Sequence, residues 1–204
     1  MIFIPESLNE EERSSLLLSI VLPRPIALVT SLNGMDSSTN IAPFSLFNLV
    51  SLNPPIIFIS IQKTKPSKRT SINIARAKEF VVNIPNYTIA EEMNKSAMPF
   101  NDKENDKFDF CKLTKVESQK IKTYGVKESL IRLECTLHSQ IDLGGYEMFL
   151  GKIMSIYCDN SILEDKQVSI DKHEFISRLG PKELYAKIQS SIIFKMERCS
   201  DVYE

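Results

Sequence analysis

One stretch constrains the fold more than any other: Asn53-Pro54-Pro55 followed by the run Ile56-Ile57-Phe58-Ile59-Ser60-Ile61. Proline fixes its own φ and pushes the residue before it out of the α region, so the run starts in extended backbone. Its β-branched and aromatic composition is that of a strand covered on both faces. Such a strand belongs inside a barrel or sandwich core.

The surrounding chain reads the same way. Ser7, with Glu10 three residues on, carries a capping-box signal for an opening helix whose apolar face is Leu16, Leu17 and Ile20 and which ends before Pro23. Pro23-Arg24-Pro25 enforces extended backbone into a strand from Ile26 to Ser31, and Asn33-Gly34 signals a reversal into Asn40-Ile41-Ala42-Pro43-Phe44-Ser45, a first hairpin. A basic loop from Gln62 to Arg69 leads to a short helix starting at Thr70, then to a strand at Phe80–Ile84. Thr88 and Glu91 form a second capping-box signal for a helix to about Ser96, and Pro99 to Lys107 reads as an exposed polar loop. From Ser129 to Ile141, Ile131, Leu133, Cys135 and Leu137 face one way while Arg132, Glu134, Thr136 and His138 face the other. Gly144-Gly145 marks a turn before an interior strand over Met148–Tyr157, and a short helix is expected around Lys182–Ile188. Many turn-joined strands with few helices indicate a mainly β fold, an antiparallel, Greek-key-like β-barrel.

Length and charge narrow the function. A chain of 204 residues suits one domain, able to bury roughly 70% of its unfolded surface, and no repeat or Gly/Ser linker divides it. No stretch approaches the ~18 apolar residues of a membrane span. The start Met1-Ile2-Phe3-Ile4-Pro5-Glu6 lacks the basic residues and cleavage site of a secretory signal, so a cytoplasmic location is expected. A net charge of -1 argues against a nucleic-acid binder, which needs a broad basic face. Cys111, Cys135, Cys158 and Cys199 are far apart, which supports neither a zinc site nor a redox dithiol and fits reduced, mostly buried thiols. His138 and His173 are the only histidines, and a lone histidine is more often structural or solvated than catalytic. Dinucleotide, P-loop and serine-hydrolase motifs are all absent.

The informative region is Arg24 to Asn73. Lys63, Lys65, Lys68 and Arg69 run into a helix start at Thr70, offering backbone N–H groups, a hydroxyl and cations to a phosphate. Taken alone, such a loop is usually just a solvated segment. Asn40 to Ser45 combines a proline, which removes a ladder donor, with small and hydroxyl residues that admit a planar ligand close to the backbone. Taken alone, that stretch is also compatible with a plain edge strand.

In register along the chain, Arg24-Pro25-Ile26-Ala27-Leu28-Val29-Thr30, Asn40-Ile41-Ala42-Pro43-Phe44-Ser45 with Phe47-Asn48, Pro54-Pro55, Lys68-Arg69-Thr70 and Glu79-Phe80-Val81-Val82-Asn83 resemble the flavin reductase-like, FMN-binding split-barrel family. The likeness runs from about Ser19 to Tyr185. It implies that Asn40, Ala42, Pro43 and Ser45 lie along the flavin ring and ribityl chain, with Ser60 and Ile61 beside them, and that Lys68 and Thr70 hold the phosphate. Arg69 stands where many relatives have an acid. Arg24 would reach the flavin or its phosphate, or form a structural ion pair. Arg178-Leu179-Gly180 fits the family's Arg-Leu-Gly-Gly stretch, with Pro181 in place of the second glycine.

The resemblance implies an FMN-dependent oxidoreductase that passes electrons between NAD(P)H or another donor and a flavin or redox-protein acceptor, with no catalytic side chain required. The alternative is a non-enzymatic FMN-binding electron carrier or flavin store. FMN rather than FAD is expected, because the loop suits one terminal phosphate and no adenosine-binding motif is present. A homodimer with the flavin near its interface is expected from the resemblance and from the two apolar faces of Ile56–Ile61 and Met148–Tyr157.

Overall fold

The structure, a computed structural model, describes residues 1–34, 38–100 and 106–196. Cys199 and most of the Pro99–Lys107 loop therefore lie outside the described residues. The chain opens with helix α1 (Glu10–Ile20), then strands β1 (Arg24–Pro25), β2 (Ala27–Asn33), β3 (Ser38–Phe44), β4 (Phe47–Leu52) and β5 (Pro55–Gln62). Helix α2 (Arg69–Ala77), β6 (Glu79–Ile84), α3 (Ala90–Lys95), α4 (Lys107–Cys111), β7 (Lys115–Val116) and β8 (Gly125–Val126) follow. The long strands β9 (Ile131–Asp142) and β10 (Tyr146–Cys158) precede β11 (Leu163–Glu164), β12 (Gln167–Val168), β13 (Ile176–Leu179) and β14 (Leu184–Lys187).

Seven strands form one sheet in the order β3-β2-β6-β9-β10-β5-β4, every pair antiparallel. The edge strands β3 and β4 are consecutive in the chain and separated only by Ser45 and Leu46. Three Cα–Cα steps span no more than about 11 Å, so the two edges must come together and the sheet curls into a barrel. At that corner Ser60 N donates to Leu46 O (2.8 Å).

Alternation along β2 explains the two cores. Ala27 and Val29 point into the barrel with Ile57, Ile59, Ile61, Phe80, Cys135 and Phe149, and Ile74 of α2 joins them. Leu28, on the other face, packs with Ile41, Met93 of α3 and Phe108 and Cys111 of α4. The segment between β7 and β8 has little regular structure and is tied down by carboxylates instead. Glu134 accepts from Gln119 N and Lys120 N, and Glu79 accepts from Lys122 N, Thr123 N and Thr123 Oγ1.

Several local expectations are corrected. Asn9, not Ser7, caps α1, and Glu12 completes the capping box; Ser7 ends a preceding 3-10 turn. Thr88 caps no helix, because its hydroxyl donates to Asn86 Oδ1 (2.6 Å). The helix expected around Lys182–Ile188 is strand β14, which pairs with β13 from Ile176↔Lys187 to Leu179↔Leu184. Pairing partners brought up by the fold override the helix-forming composition there. Ile56–Ile61 is covered within one chain, whereas the far end of β10 is not: Met154, Ile156 and Tyr157 are exposed. Cys111 and Cys135 are buried free thiols and Cys158 is partly exposed. Among the described residues no helix is long and apolar enough to cross a membrane.

Candidate functional site

The strand β3, the start of α2, the segment from Ser96 to Phe100 after α3 and Lys107 at the start of α4 line a cleft of about 360 Å³. Asn40, Ala42, Pro43, Phe44, Lys68, Arg69, Thr70 and Lys107 line it, and no acid does among the described residues. At its floor, Asn40 Nδ2 donates to Thr70 Oγ1 (2.9 Å) while Lys107 Nζ lies 3.5 Å from Asn40 Oδ1. The lysine thus fixes which end of the amide faces the threonine. A hydroxyl has one proton and two lone pairs. With Asn40 occupying a lone pair, the Thr70 proton remains available to an anion in the cleft.

Helix α2 adds to this. Its N-cap, Lys68, makes no side-chain capping bond, and no acid occupies the first turn. The first backbone N–H groups of a helix have no partner inside it and carry its positive dipole end. Burial lowers the Lys68 ammonium below its ordinary value. Burial also lowers Lys107, which Cys111 counters and Arg69 reinforces. Lys68 is exposed by comparison, whereas Lys107 is buried with no carboxylate partner among the described residues.

A second cleft, about 390 Å³, shares Pro43, Phe44 and Ala97 with the first and is lined also by Arg24, Ser45, Met93, Arg178 and Tyr185. Arg24 is only 5% exposed. Its Nη1 donates to Leu18 O (2.6 Å) and Val21 O (3.2 Å), and its Nη2 to Gly180 O (2.9 Å). It therefore clamps the end of α1 to the β13–β14 turn through carbonyls and, among the described residues, makes no ion pair. Gly180 sits at φ +60°, which explains the glycine; Pro181 follows it without disturbing the hairpin.

Of the residues expected from the sequence, Asn40, Ala42, Pro43, Lys68, Arg69 and Thr70 come together in the first cleft, and Arg24 and Ser45 line the second. Ser60 and Ile61 line neither: Ser60 bonds to the barrel corner through its backbone, and Ile61 is buried in the barrel core. Lys107 is the residue that sequence reading missed, since it sits at the end of a polar loop. Only its 9% exposure beneath Asn40 distinguishes it from a solvated lysine. His173 is fully buried, edge-on to Phe175, away from both clefts. A larger concavity, about 1070 Å³, lies elsewhere and mixes Arg76 and Lys122 with Glu79 and Glu117. Size alone favours it; the one-signed charge and converging donors favour the smaller cleft.

The fold is thus an antiparallel barrel in which a cleft runs along the proline-bearing edge strand β3 to the start of helix α2. The flavin reductase like domain matches residues 19–173, and the chain belongs to that family. Its fold is the split β-barrel. The YwrF protein of Bacillus subtilis is 31% identical over 196 residues, 92% of this chain and 94% of that one. Nitrilotriacetate monooxygenase component B from Bacillus cereus superposes with a TM-score of 0.89 at 30% identity, covering 96% of this chain and 98% of that one. The 2-nitrobenzoate 2-nitroreductase of Pseudomonas fluorescens gives 0.87 at 26%, covering 98% of each. Flavin-linked redox chemistry is the function class these likenesses support.

Proposed function

We propose that the protein is an FMN-dependent oxidoreductase working as a homodimer, in which FMN lies in the first cleft with its ring along Asn40–Ser45 at the border of the second. The observation that carries this reading is the cluster of Lys68, Thr70 and Lys107 at the start of α2, in one cleft with Asn40, Ala42 and Pro43 and with no acid in its lining among the described residues. The first turn of α2, the Thr70 hydroxyl and the two ammonium groups suit a phosphate monoester. Ala42 and Pro43 keep the wall low enough for a flat ring, and Ser45 stands where the wall turns into the second cleft. Arg69 adds positive charge. Arg24 serves by holding α1 and the β13–β14 turn in place, which shapes the second cleft. Ser60 and Ile61 support the corner from behind.

When bound, FMN supplies the electron chemistry. The chain's own residues bind the phosphate, orient the ring through the Asn40–Ser45 backbone, and leave the second cleft for a donor such as NAD(P)H and for a flavin or protein acceptor. A cytoplasmic location fits a protein that draws on NAD(P)H. The test is the visible spectrum of freshly purified protein, mass spectrometry of the released cofactor, and anaerobic addition of NADH and NADPH. Released FMN, bleached by either nucleotide, is expected. FAD alone, or no flavin affinity after reconstitution with FMN, overturns the reading. FMN without bleaching by either nucleotide points to the electron carrier or flavin store.

A further inference from the structure

The second cleft contains two arginines, Arg24 and Arg178, that have no acidic partner among the described residues. The Arg178 guanidinium stacks on the Tyr185 ring, 4.7 Å from its centroid, and Nη1 donates to the Tyr185 hydroxyl. The same hydroxyl lies 3.5 Å from Asn94 Oδ1. This fixes the guanidinium over the cleft through a neutral group, so its charge is not cancelled. Arg24 lies close enough that, after burial, Arg178 is the next cause lowering its guanidinium. The Arg24 donors that bond are spent on carbonyls, so its contribution is field rather than contact. Glu183, the only acid in the lining, stands exposed at the rim and, among the described residues, pairs with neither arginine.

Bringing two guanidinium groups together costs electrostatic energy unless an anion shares the space, and a planar guanidinium presents its remaining N–H donors as a fork suited to an oxyanion. The cleft shares Pro43 and Phe44 with the phosphate cleft, so a ligand in it abuts the wall along which the ring is proposed to lie. We propose that Arg178, positioned by Tyr185 and reinforced by the field of Arg24, is the recognition site for an oxyanion carried by the flavin's redox partner. This rests on the flavin reading for its place in turnover, but the anion site itself stands on the cleft alone. A phosphate of a pyridine nucleotide and the carboxylate of an aromatic acid share the required chemistry.

The test has two arms on the full chain saturated with FMN. In the first, inorganic pyrophosphate and benzoate are titrated calorimetrically into the wild type, Arg178→Gln and Arg178→Lys. At least one anion is expected to bind the wild type, with affinity down at least tenfold in Arg178→Gln and by a smaller factor in Arg178→Lys, which keeps the charge and loses the planar fork. Tight pyrophosphate binding identifies the source as a nucleotide phosphate, and tight benzoate binding identifies a carboxylate. In the second, anaerobic flavin reduction is followed with NADH and with the uncharged donor N-benzyl-1,4-dihydronicotinamide. The NADH preference, as a ratio of kcat/KM values, is expected to fall about tenfold in Arg178→Gln if the source is a phosphate. Circular dichroism and flavin occupancy check that the variants fold.

Failure of both anions to bind the wild type, or binding unchanged in Arg178→Gln, overturns the proposal. Absence of reduction by either donor counts instead against the oxidoreductase reading, and calorimetry still decides the anion site.

Discussion

Thr70 is buried to 2% exposure and its hydroxyl oxygen accepts from Asn40, which leaves the hydroxyl proton for another acceptor. Removing it together with the Lys68 charge deletes a donor and a charge-assisted contact. Thr70→Ala with Lys68→Ala is expected to weaken FMN binding by about 2–4 kcal/mol and riboflavin binding by much less. Equal losses in fluorescence-quenching titrations would show that neither residue meets the phosphate. Lys107 adds a pH signature. Its ammonium and that of Lys68 are lowered from 10.5 by burial, so the folded apoprotein holds these protons less tightly than the unfolded chain. Apoprotein stability from these groups therefore rises with pH between their folded values and 10.5. Phosphate binding requires the charged form, so FMN affinity falls over the same interval while riboflavin affinity stays nearly level. Lys107→Met should flatten most of that fall, since Lys107 is the more deeply buried of the two. Titrations at stepped pH measure it.

At the scale of elements, β10 crosses the barrel at Gly151 beside a register shift against β9. A Cβ built there would lie 2.5 Å from Phe80 Cζ and 3.2 Å from Cys135 Cβ, and both neighbours are fully buried. Neither can move into open space, so the glycine is required by close approach. Gly151→Ala is expected to destabilise the fold by about 1–3 kcal/mol, read as a lower urea midpoint. Adding Phe80→Leu should recover part of it; no recovery would place the strain elsewhere. The same scale shows where local reading stops. Asn33-Gly34 announces the β2–β3 hairpin because turn chemistry is local, and Gly34 has the positive φ, 62°, that such a reversal needs. Lys182–Ile188 reads as helix and folds as β14, because its partner β13 is supplied by the tertiary fold.

For the whole molecule, exposed apolar side chains include Leu49, Val50 and Leu52 of β4, Met154, Ile156 and Tyr157 of β10, and Leu17 and Ile20 of α1. A surface of that kind is costly in water and suits an isologous contact with a second copy, above ~2,000 Å² if obligate. Sedimentation equilibrium across a wide dilution range, with flavin and protein absorbance followed together, is expected to show flavin retention tracking dimerisation. A monomer that keeps stoichiometric FMN at every concentration would defeat the dimer. The sequence by itself determined the barrel class and the first hairpin, because proline, turn dipeptides and period-two alternation are written in neighbouring residues, whereas Asn40 to Ser45 and Lys68 to Thr70 are singled out by their likeness to the flavin reductase-like family, since each stretch alone reads also as an edge strand or a solvated loop. The tertiary structure alone decided that Lys107 lies under Asn40, that Arg24 spends its donors on three carbonyls, and that Arg178 and Tyr185 face Phe44 across a second cleft. Each of these joins residues far apart in the chain, and burial, which turns an ordinary lysine or arginine into a site, exists only once the segments that bury it have met.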